Sequence, residues 1–304
     1  MNKLCLLLLG LSLPAVAADW PQFLGPTADG VSTETGLIDA FPKGGPKPLF
    51  AKRIGTGYAA PSIRDGKAVV FHRANKLYKV EEGDNFETVV KYVNAELTAL
   101  KAKERLTVED LQKSLKDTTR RVPRGYIPLP EAVAKHLDVE VIDCLDAKTG
   151  NLIWRHAYPT GYEDPYGYNN GPRCAPLITK DRIYTYGAEG VLICLDLATG
   201  KQLWRRDTHK DFTVIPNFFG VGSTPVLEDG LLLTMVGGQP NSGMVAFDAK
   251  TGKTVWTSTG KQTWDGVTKT GWPGEPRMIW RGQEKMASYA SPVLATVHGK
   301  RVVF

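Results

Sequence analysis

The side chains of this sequence that could do chemistry recur in one fixed pattern, Asp-x-x-Thr-Gly-x-x-x-Trp. Its carboxylate and hydroxyl could serve acid–base catalysis. The spacing favours a different role, because the Gly supplies the positive φ angle of a bulged hairpin turn and the Asp accepts backbone N–H groups across it. The Trp is then expected to dock on the neighbouring unit, with its N–H on a backbone carbonyl. We interpret these repeated residues as structural rather than catalytic: Asp146, Gly150, Trp154, Asp196, Gly200, Trp204, Asp248, Gly252 and Trp256.

Other familiar arrangements of catalytic residues are absent from the sequence. It has no adjacent pair of cysteines, no Cys-x-x-Cys-His and no Gly-x-Ser-x-Gly, and histidine occurs only five times. No phosphate-binding loop and no cluster with metal-ligand spacing can be recognised. We therefore expect no catalytic residue, no metal site and no evident cofactor.

The first residues point to export from the cytoplasm. Residues 1–18, MNKLCLLLLGLSLPAVAA, place Lys3 before an apolar core and small residues at a cleavage site, which is the form of a secretory signal peptide. A membrane anchor is the alternative, but the apolar run is too short to span a bilayer. No later stretch could cross a membrane. We predict a periplasmic or secreted protein without a transmembrane segment after cleavage.

The cysteines and the distribution of charge argue against a disulfide-rich fold and against a nucleic-acid-binding protein. Cys144, Cys174 and Cys194 remain after cleavage, and an odd set in apolar surroundings suits small core residues better than a disulfide framework. The net charge is +6, which becomes +5 when Lys3 is removed with the signal peptide, and residues 91–135 hold a basic surplus of four. An exported protein whose basic residues cluster in one segment lacks the footprint of a nucleic-acid binder, so nucleic acid is excluded as a partner.

A second short pattern precedes each unit: a small residue, then Pro, then apolar residues. It is followed by a charged turn, a β-rich run and the Asp-to-Trp motif, which makes four short strands in about fifty residues. Four-stranded units repeated radially form a β-propeller, so we predict an all-β fold with four-stranded blades. The second pattern occurs at 59–63, 174–178, 223–227 and 290–294.

These repeats define the expected domain boundaries. An N-terminal extension covers 19–54, and a partial propeller covers 55–304. Within it, blade one spans 55–155, blade two 173–205, blade three 221–257, and the start of blade four 289–304. The chain stops inside the second strand of a fourth unit, whereas closed propellers have about four to eight blades. We expect either that the sequence is part of a longer propeller or that another chain or copy completes it.

The motif and the segment from Asp19 to Pro26, DWPQFLGP, together with Asn170–Arg173, NGPR, resemble the pyrroloquinoline-quinone (PQQ) repeat family of propellers. This family includes quinoprotein alcohol dehydrogenases and the outer-membrane assembly propeller lipoprotein of the β-barrel machinery. The likeness is greatest to exported bacterial PQQ-like repeat proteins and covers most of the chain outside 74–138. It implies the propeller fold but leaves the function open, because one repeat fold hosts many roles.

Residues 74–138 interrupt the repeat and are expected to form a helical insert in blade one. Thr107 and Asp110 have the spacing of a capping box before a helix. Residues 94–105 have helical spacing of apolar residues, and Pro130 is expected to open a short third helix. The basic face of the insert could bind an acidic ligand, although a solvated helix face is the preferred interpretation.

Strand direction places the long loops together, on the face opposite the Asp-x-x-Thr-Gly turns. Function usually lies in variable loops on a regular scaffold, so we expect a ligand or partner site there. Each candidate also has a purely structural interpretation. Arg173, for example, could pair with Asp164 or Glu163 and so fix a loop without contacting any ligand. The binding candidates are Tyr58, His72, Arg73, Asp164, Asn170, Arg173, Glu189 and Tyr289, with Gln239 at an equivalent corner.

Two functions from different classes follow. The first is a non-catalytic binding or assembly scaffold for a protein or another cell-envelope ligand, such as a glycan. The alternative is a quinoprotein-like oxidoreductase that binds PQQ with Ca²⁺ and oxidises alcohols or sugars, as the resemblance implies. A hydrolytic propeller is less favoured, because no pair of carboxylates is defined.

Overall fold

The computed structural model describes residues 18–116, 122, 124–164, 167–214, 219–238, 242–258, 268–270, 278–280 and 289–304. The predicted signal peptide therefore lies outside the described residues, apart from Ala18. None of the helices in these ranges is long and apolar enough to cross a membrane.

The described chain is mostly β. Its strands are β1 (Ser62–Arg64), β2 (Lys67–Arg73), β3 (Leu77–Lys79), β4 (Tyr126–Pro128), β5 (Val139–Asp146), β6 (Leu152–Pro159), β7 (Leu177–Ile178), β8 (Arg182–Tyr186), β9 (Val191–Asp196), β10 (Gln202–Asp207), β11 (Val226–Glu228), β12 (Leu231–Gly238), β13 (Ser242–Asp248), β14 (Thr254–Ser258), β15 (Thr268–Thr270), β16 (Met278–Trp280), β17 (Leu294–Val297) and β18 (Lys300–Val303). Its helices are α1 (Phe86–Ala99), α2 (Val108–Leu115), α3 (Glu131–Ala134) and α4 (Thr208–Asp211).

The strands form four-stranded antiparallel sheets of the kind that make propeller blades. Their orders are β1-β2-β5-β6, β7-β8-β9-β10 and β11-β12-β13-β14, and β17 pairs with β18. The register repeats from sheet to sheet, since the motif Asp always lies opposite the first residue of the second strand, as in the pair Lys67 and Asp146. The described residues do not close into a ring.

The repeated turn is built as its residue types predict. The Asp146 carboxylate accepts hydrogen bonds from the backbone N–H and the hydroxyl of Thr149, each at 2.8 Å. Gly150, at φ 70°, donates its N–H to the Asp146 carbonyl at 2.8 Å. Asp196 and Asp248 make the same hydrogen bonds to Thr199 and Thr251.

The first strands of neighbouring sheets are joined through the small residues beside each Pro. The Ser62 hydroxyl donates to the Pro176 carbonyl at 2.6 Å. The Thr224 hydroxyl accepts from the Ala175 N–H at 3.3 Å, and the Thr224 N–H donates to the Ser291 hydroxyl at 2.9 Å. Small side chains are needed here because the first strands of neighbouring sheets, here called the inner strands, approach each other closely.

Helices α1, α2 and α3 lie between β2 and β5, together with the short sheet β3–β4, which the sequence pattern did not predict. The helix expected over 94–105 has different bounds. It begins at Phe86, because the Asn85 side chain caps it by accepting the Thr88 N–H at 2.8 Å, and it ends before Lys101, whose φ is 60°. The predicted capping box at Thr107 is confirmed. Pro130 is the N-cap of α3 rather than part of its first turn.

Separate hydrophobic cores lie in the insert and between successive sheets. The insert core includes Val89, Val93, Leu97 and Leu111. The core between the first two sheets includes Phe71, Cys144 and Ile193, and the core between the second and third includes Tyr184, Cys194 and Phe247. Cys144, Cys174 and Cys194 are buried as free thiols, and burial raises their pKa values.

Candidate functional site

The molecule has two faces, at opposite ends of the strands, and the loops on these faces differ in length. On one face, the β1–β2 turn contacts the β5–β6 turn, since the Ala147 N–H donates to the Gly66 carbonyl at 2.9 Å. The opposite face carries residues 55–58, 160–164, 167–173, 208–214 and 219–221 and the described part of the helical insert. We call these segments the loop face.

Arg173 lies at the centre of the loop face with its side chain only 10% exposed. Its guanidinium carbon lies 4.8 Å from the ring centroid of Tyr162 and 5.8 Å from that of Tyr58. Its N–H groups donate to the Asn169 carbonyl at 2.7 Å and to the Asp164 carboxylate at 3.3 Å. It also donates to the Gly171 carbonyl. The rigid fork of a guanidinium suits several acceptors at once, so Arg173 fixes the conformation of this loop.

Aromatic side chains lie around Arg173, and three of them are exposed to solvent. Tyr58 is 61% exposed and Tyr168 66% exposed, whereas Tyr289 is 39% exposed. The ring of Phe219 lies 6.2 Å from that of Tyr168 and 5.7 Å from that of Tyr289, between centroids. The Tyr289 hydroxyl accepts the Phe219 N–H at 3.2 Å. We call Tyr58, Tyr162, Tyr168, Arg173, Phe219 and Tyr289 the funnel site.

Asp164 and Asn170 shape the loop that carries Arg173. The Asn170 side-chain oxygen accepts the Asp164 N–H at 2.8 Å, and the Asp164 side chain is fully buried against Arg173. Both residues were predicted as binding candidates. The structure places them beneath the funnel site, where they support Arg173.

His72 and Arg73, both binding candidates from the sequence, are buried at 1% and 2% exposure. His72 Nδ1 accepts the Gly55 N–H at 3.2 Å, and its Nε2 lies 3.2 Å from the Asp143 carboxylate. Arg73 donates to the Tyr162 and Asn170 carbonyls and pairs with Asp138. Because no solvent reaches either side chain, they hold the blade corner together and are not contact residues of the funnel site.

Asp143 is also buried and connects the first sheet to the insert. It accepts two hydrogen bonds from Arg155, at 2.6 and 2.7 Å, and Arg155 pairs with Glu96 of α1 at 2.9 Å. Burial alone would raise the pKa of Asp143, but the hydrogen bonds from Arg155 and His72 outweigh burial and lower this pKa to about 2. The carboxylate therefore stays charged in the interior.

Two glutamates lie near the funnel site, and both are engaged by other groups. Glu189 accepts the Gly161 N–H at 2.8 Å and the Thr160 hydroxyl at 3.1 Å. Glu140 is fully buried and accepts the Tyr158 hydroxyl at 2.5 Å and the Ala188 N–H at 2.9 Å. Burial raises the pKa of Glu140 above its ordinary value, against the effect of these hydrogen bonds.

The carboxylates around the funnel site do not fit a Ca²⁺-bound quinone. Asp164 is paired with Arg173, Glu140 with Tyr158, and Glu189 with a backbone amide. Across the described parts of the chain, no three His, Cys, Asp or Glu side chains converge in a group that could hold a metal ion. We therefore assign no chemical step to a Ca²⁺-bound quinone. Gln239, Trp264 and Trp272 lie outside the described residues.

The segment Asp19–Gly30, here called the N-terminal hook, crosses the turn-side ends of the inner strands. Trp20 pairs with Ile63 of β1 through two backbone hydrogen bonds of 2.9 Å, and the Pro21 carbonyl accepts the Ile178 N–H at 2.7 Å. Farther along, a cavity of about 200 Å³ separates Phe23 and Leu24 from Val226, Leu227 and Pro292–Leu294. The hook thus lies at the opposite end of the inner strands from the funnel site. The sequence pattern DWPQFLGP marked this segment, but it did not predict where the segment lies in the structure.

Comparisons with known proteins agree with this architecture. A family model described as outer membrane protein assembly factor BamB matches residues 138–304. Among curated proteins, quinohemoprotein alcohol dehydrogenase ADH-IIG of Pseudomonas putida is 27% identical over 127 residues, and quinohemoprotein alcohol dehydrogenase of Comamonas testosteroni is 26% identical over 128. Each of these alignments covers 38% of this chain but only 16% of the relative.

Solved structures of the same two kinds are also similar to parts of the chain. BamB from Moraxella catarrhalis is 21% identical, with a TM-score of 0.27 over 40% of this chain and 33% of that one. The Comamonas testosteroni dehydrogenase is 23% identical, with a TM-score of 0.30 over 46% of this chain and 21% of that one.

Proposed function

We propose a function that starts from the family: this chain belongs to the PQQ-like repeat family whose model is described as outer membrane protein assembly factor BamB. In this proposal, the protein is an exported, non-catalytic scaffold that binds a protein partner at the funnel site. The periplasmic or secreted location rests on the signal-peptide pattern of residues 1–18.

The exposure of the aromatic residues around a fixed arginine carries this proposal. Tyr58, Tyr168 and Tyr289 present 39–66% of their surface to solvent, although large aromatic groups normally lie inside. Tyrosine and arginine are enriched at the energetic centres of protein interfaces. A patch that combines them on a rigid scaffold is suited to a partner's extended segment or loop.

The rigidity of the site supports binding as well. Arg173 is held by carbonyls on its own loop, and Tyr58 by the Pro172 carbonyl, which accepts the Tyr58 N–H at 2.8 Å. A site ordered before the partner arrives loses less conformational entropy on association.

The partner is proposed to be a protein because the matched family is described as an assembly factor. No nucleic acid is expected, since the basic residues cluster in the insert and not around the funnel site. A cell-envelope glycan is the alternative ligand for such a surface. Photocrosslinking distinguishes a glycan from a protein partner.

Site-specific photocrosslinking tests the proposal. A photoreactive amino acid at Tyr168 should give a discrete protein adduct in cells that export the protein, whereas the same group at Lys148, on the turn face, should not. Equal adducts at both positions, or an adduct at Tyr168 that resists protease and contains glycan, would reject a protein partner at the funnel site.

A second candidate is favoured by the curated relatives, both of which are quinohemoprotein alcohol dehydrogenases. Incubation with PQQ and Ca²⁺, followed by dye reduction with alcohols and sugars, tests that reaction directly. Turnover would overturn the non-catalytic scaffold. Absence of PQQ binding would remove the dehydrogenase from consideration.

A further inference from the structure

A cavity of about 280 Å³ lies beside the helical insert, and the exposed rings of the funnel site are not among its lining residues. Its walls are residues 53–57, β3, α1 and Asn169. We call it the insert cavity. It is formed where the chain before β1 crosses beneath the insert, so neither segment encloses it alone.

The charges that line the insert cavity balance. Arg53 and Lys79 contribute two cations, and Glu81 and Glu96 two anions. Two of these four are engaged elsewhere, because Arg53 pairs with Asp84 at 3.1 Å and Glu96 with Arg155 at 2.9 Å. A ligand with a net charge would meet a repulsive partner on one wall, which favours a neutral ligand.

Arg53 is held in place by aromatic rings. Its guanidinium carbon lies 4.3 Å from the ring centroid of Tyr78 and 5.0 Å from that of Tyr92. It also donates to the Tyr78 hydroxyl and the Lys79 carbonyl. The Tyr78 hydroxyl donates to Asp84 at 2.9 Å. This wall is therefore preformed and does not depend on a ligand for its order.

Two polar groups of the lining have no partner among the described residues. The Tyr92 hydroxyl makes no hydrogen bond there, and the Asn75 amide uses only its oxygen, which accepts the Thr56 hydroxyl at 3.0 Å. A phenol and an amide N–H₂ that face a cavity can donate to hydroxyl or carbonyl oxygens of a bound molecule. Leaving such groups unpaired costs free energy, which a ligand with matching acceptors recovers.

We propose that the insert cavity binds a small neutral polyhydroxylated ligand of the monosaccharide class. Several features fit one sugar ring: a volume at the lower end of ordinary ligand sites, balanced charge, planar amide and carboxylate groups for adjacent hydroxyls, and the unpartnered Tyr92 hydroxyl as a further donor. The site goes beyond the proposed scaffold function, because the exposed rings of the funnel site do not line it. Asn169 is the point of contact between the two, since its carbonyl accepts Arg173 at 2.7 Å.

Binding of D-glucose and of N-acetyl-D-glucosamine to the full chain tests the proposal. Each sugar is titrated to about 50 mM, which reveals a Kd in the mM range, and binding is followed by ligand-detected NMR. Saturable binding of at least one sugar is expected. It should weaken about tenfold in Tyr92→Phe, which loses only the unpartnered hydroxyl, and in Asn75→Asp, which keeps the acceptor for Thr56 and loses the amide donor.

Tyr168→Phe is the matched control, because it also removes one tyrosine hydroxyl but lies in the funnel site. It should bind the sugar as the unaltered protein does. The proposal is overturned if neither sugar binds saturably, or if Tyr92→Phe and Asn75→Asp, shown by circular dichroism to be folded, bind with unchanged affinity. Neither result bears on the crosslink at Tyr168, so this inference and the proposed function fail separately.

Discussion

Trp154 of the first sheet donates its indole N–H to the Leu197 carbonyl of the second sheet at 3.0 Å. Its ring lies against Gly200, where an added Cβ would meet the ring at 2.5 Å. Trp204 and Gly252 repeat this arrangement between the second and third sheets, with the Trp204 N–H on the Ala249 carbonyl at 3.0 Å. Phe50, from the N-terminal extension, lies over Gly150 in the same way. Each motif glycine therefore accepts an aromatic ring from the preceding segment.

Replacement of Gly200 by alanine should destabilise the protein more than replacement of Gly66. The two glycines have nearly equal φ angles, 70° and 71°, but nothing lies within 4 Å of a Cβ at Gly66. Gly66→Ala should cost about 1 kcal/mol for its left-handed backbone, and Gly200→Ala about 2 kcal/mol more because Trp154 must move. Urea unfolding measures both. Equal losses would show that the Trp154 ring is not held against Gly200.

Asp143→Asn should lower the free energy of unfolding by about 3 kcal/mol at pH 7, because Arg155 loses a buried charged partner. The pKa of Asp143 is lowered to about 2 from an ordinary 3.8. Its contribution is therefore complete above pH 4 and is lost as the pH falls toward 2. The difference between the two proteins should shrink by about 2 kcal/mol over that interval. Denaturant titrations at pH 7 and pH 2.5 check this, and a constant difference would contradict it.

Glu140→Gln should have the opposite pH dependence. The pKa of Glu140 is raised above 4.5, so the folded state binds the proton more tightly than the unfolded state, and stability is lost as the pH rises through the folded pKa. The variant lacks this loss and should be at least as stable as the unaltered protein at pH 8, with a smaller advantage at pH 4.

Tyr158→Phe serves as the control for Glu140. It removes the hydroxyl that donates to the carboxylate at 2.5 Å, so the ionised form becomes less favourable and the loss of stability with rising pH should grow. If the stability of Glu140→Gln relative to the unaltered protein does not change between pH 4 and pH 8, Glu140 does not titrate in this range.

Arg173→Lys should destabilise the loop of the funnel site by about 1–2 kcal/mol, because an ammonium cannot reach the same set of carbonyls or stack on Tyr162. The exposed pair of Arg301 and Glu228 provides the control, since Arg301→Lys should cost less than about 0.5 kcal/mol. Thermal unfolding and the crosslinking yield at Tyr168 measure the effect. An unchanged yield with Arg173→Lys would show that Arg173 does not order the site.

The features that the sequence predicted are those encoded by neighbouring residues. The turn at Asp146–Gly150 depends on contacts within five residues, and so does the capping box of Thr107 and Asp110. The repeat of such local units was enough to predict four-stranded sheets, and the family comparison confirms the predicted resemblance. Strand direction alone predicted that Arg173 and Tyr289 lie on the same face as the long loops.

Features that depend on distant segments could not be predicted in this way. His72 and Arg73 were predicted as binding candidates at a blade corner, but contacts with Asp143 and Asp138, more than sixty residues later, bury them. Phe50 has no motif of its own, and its role is visible only against Gly150. The insert cavity likewise requires residues 53–57 and α1 to meet, which no local pattern records.

The N-terminal hook also constrains the order of folding. Its backbone pairs with Ile63 and Ile178, and Phe23 and Leu24 reach the vicinity of Val226 and Val293, about 200 to 270 residues later in the chain. Contacts of such large sequence separation form slowly, because a long loop must close before they stabilise the structure. The hook can find its full set of partners only after the inner strands of successive sheets are in place. The hook is thus synthesised before the strands it contacts but is among the last of the described segments to reach its final position.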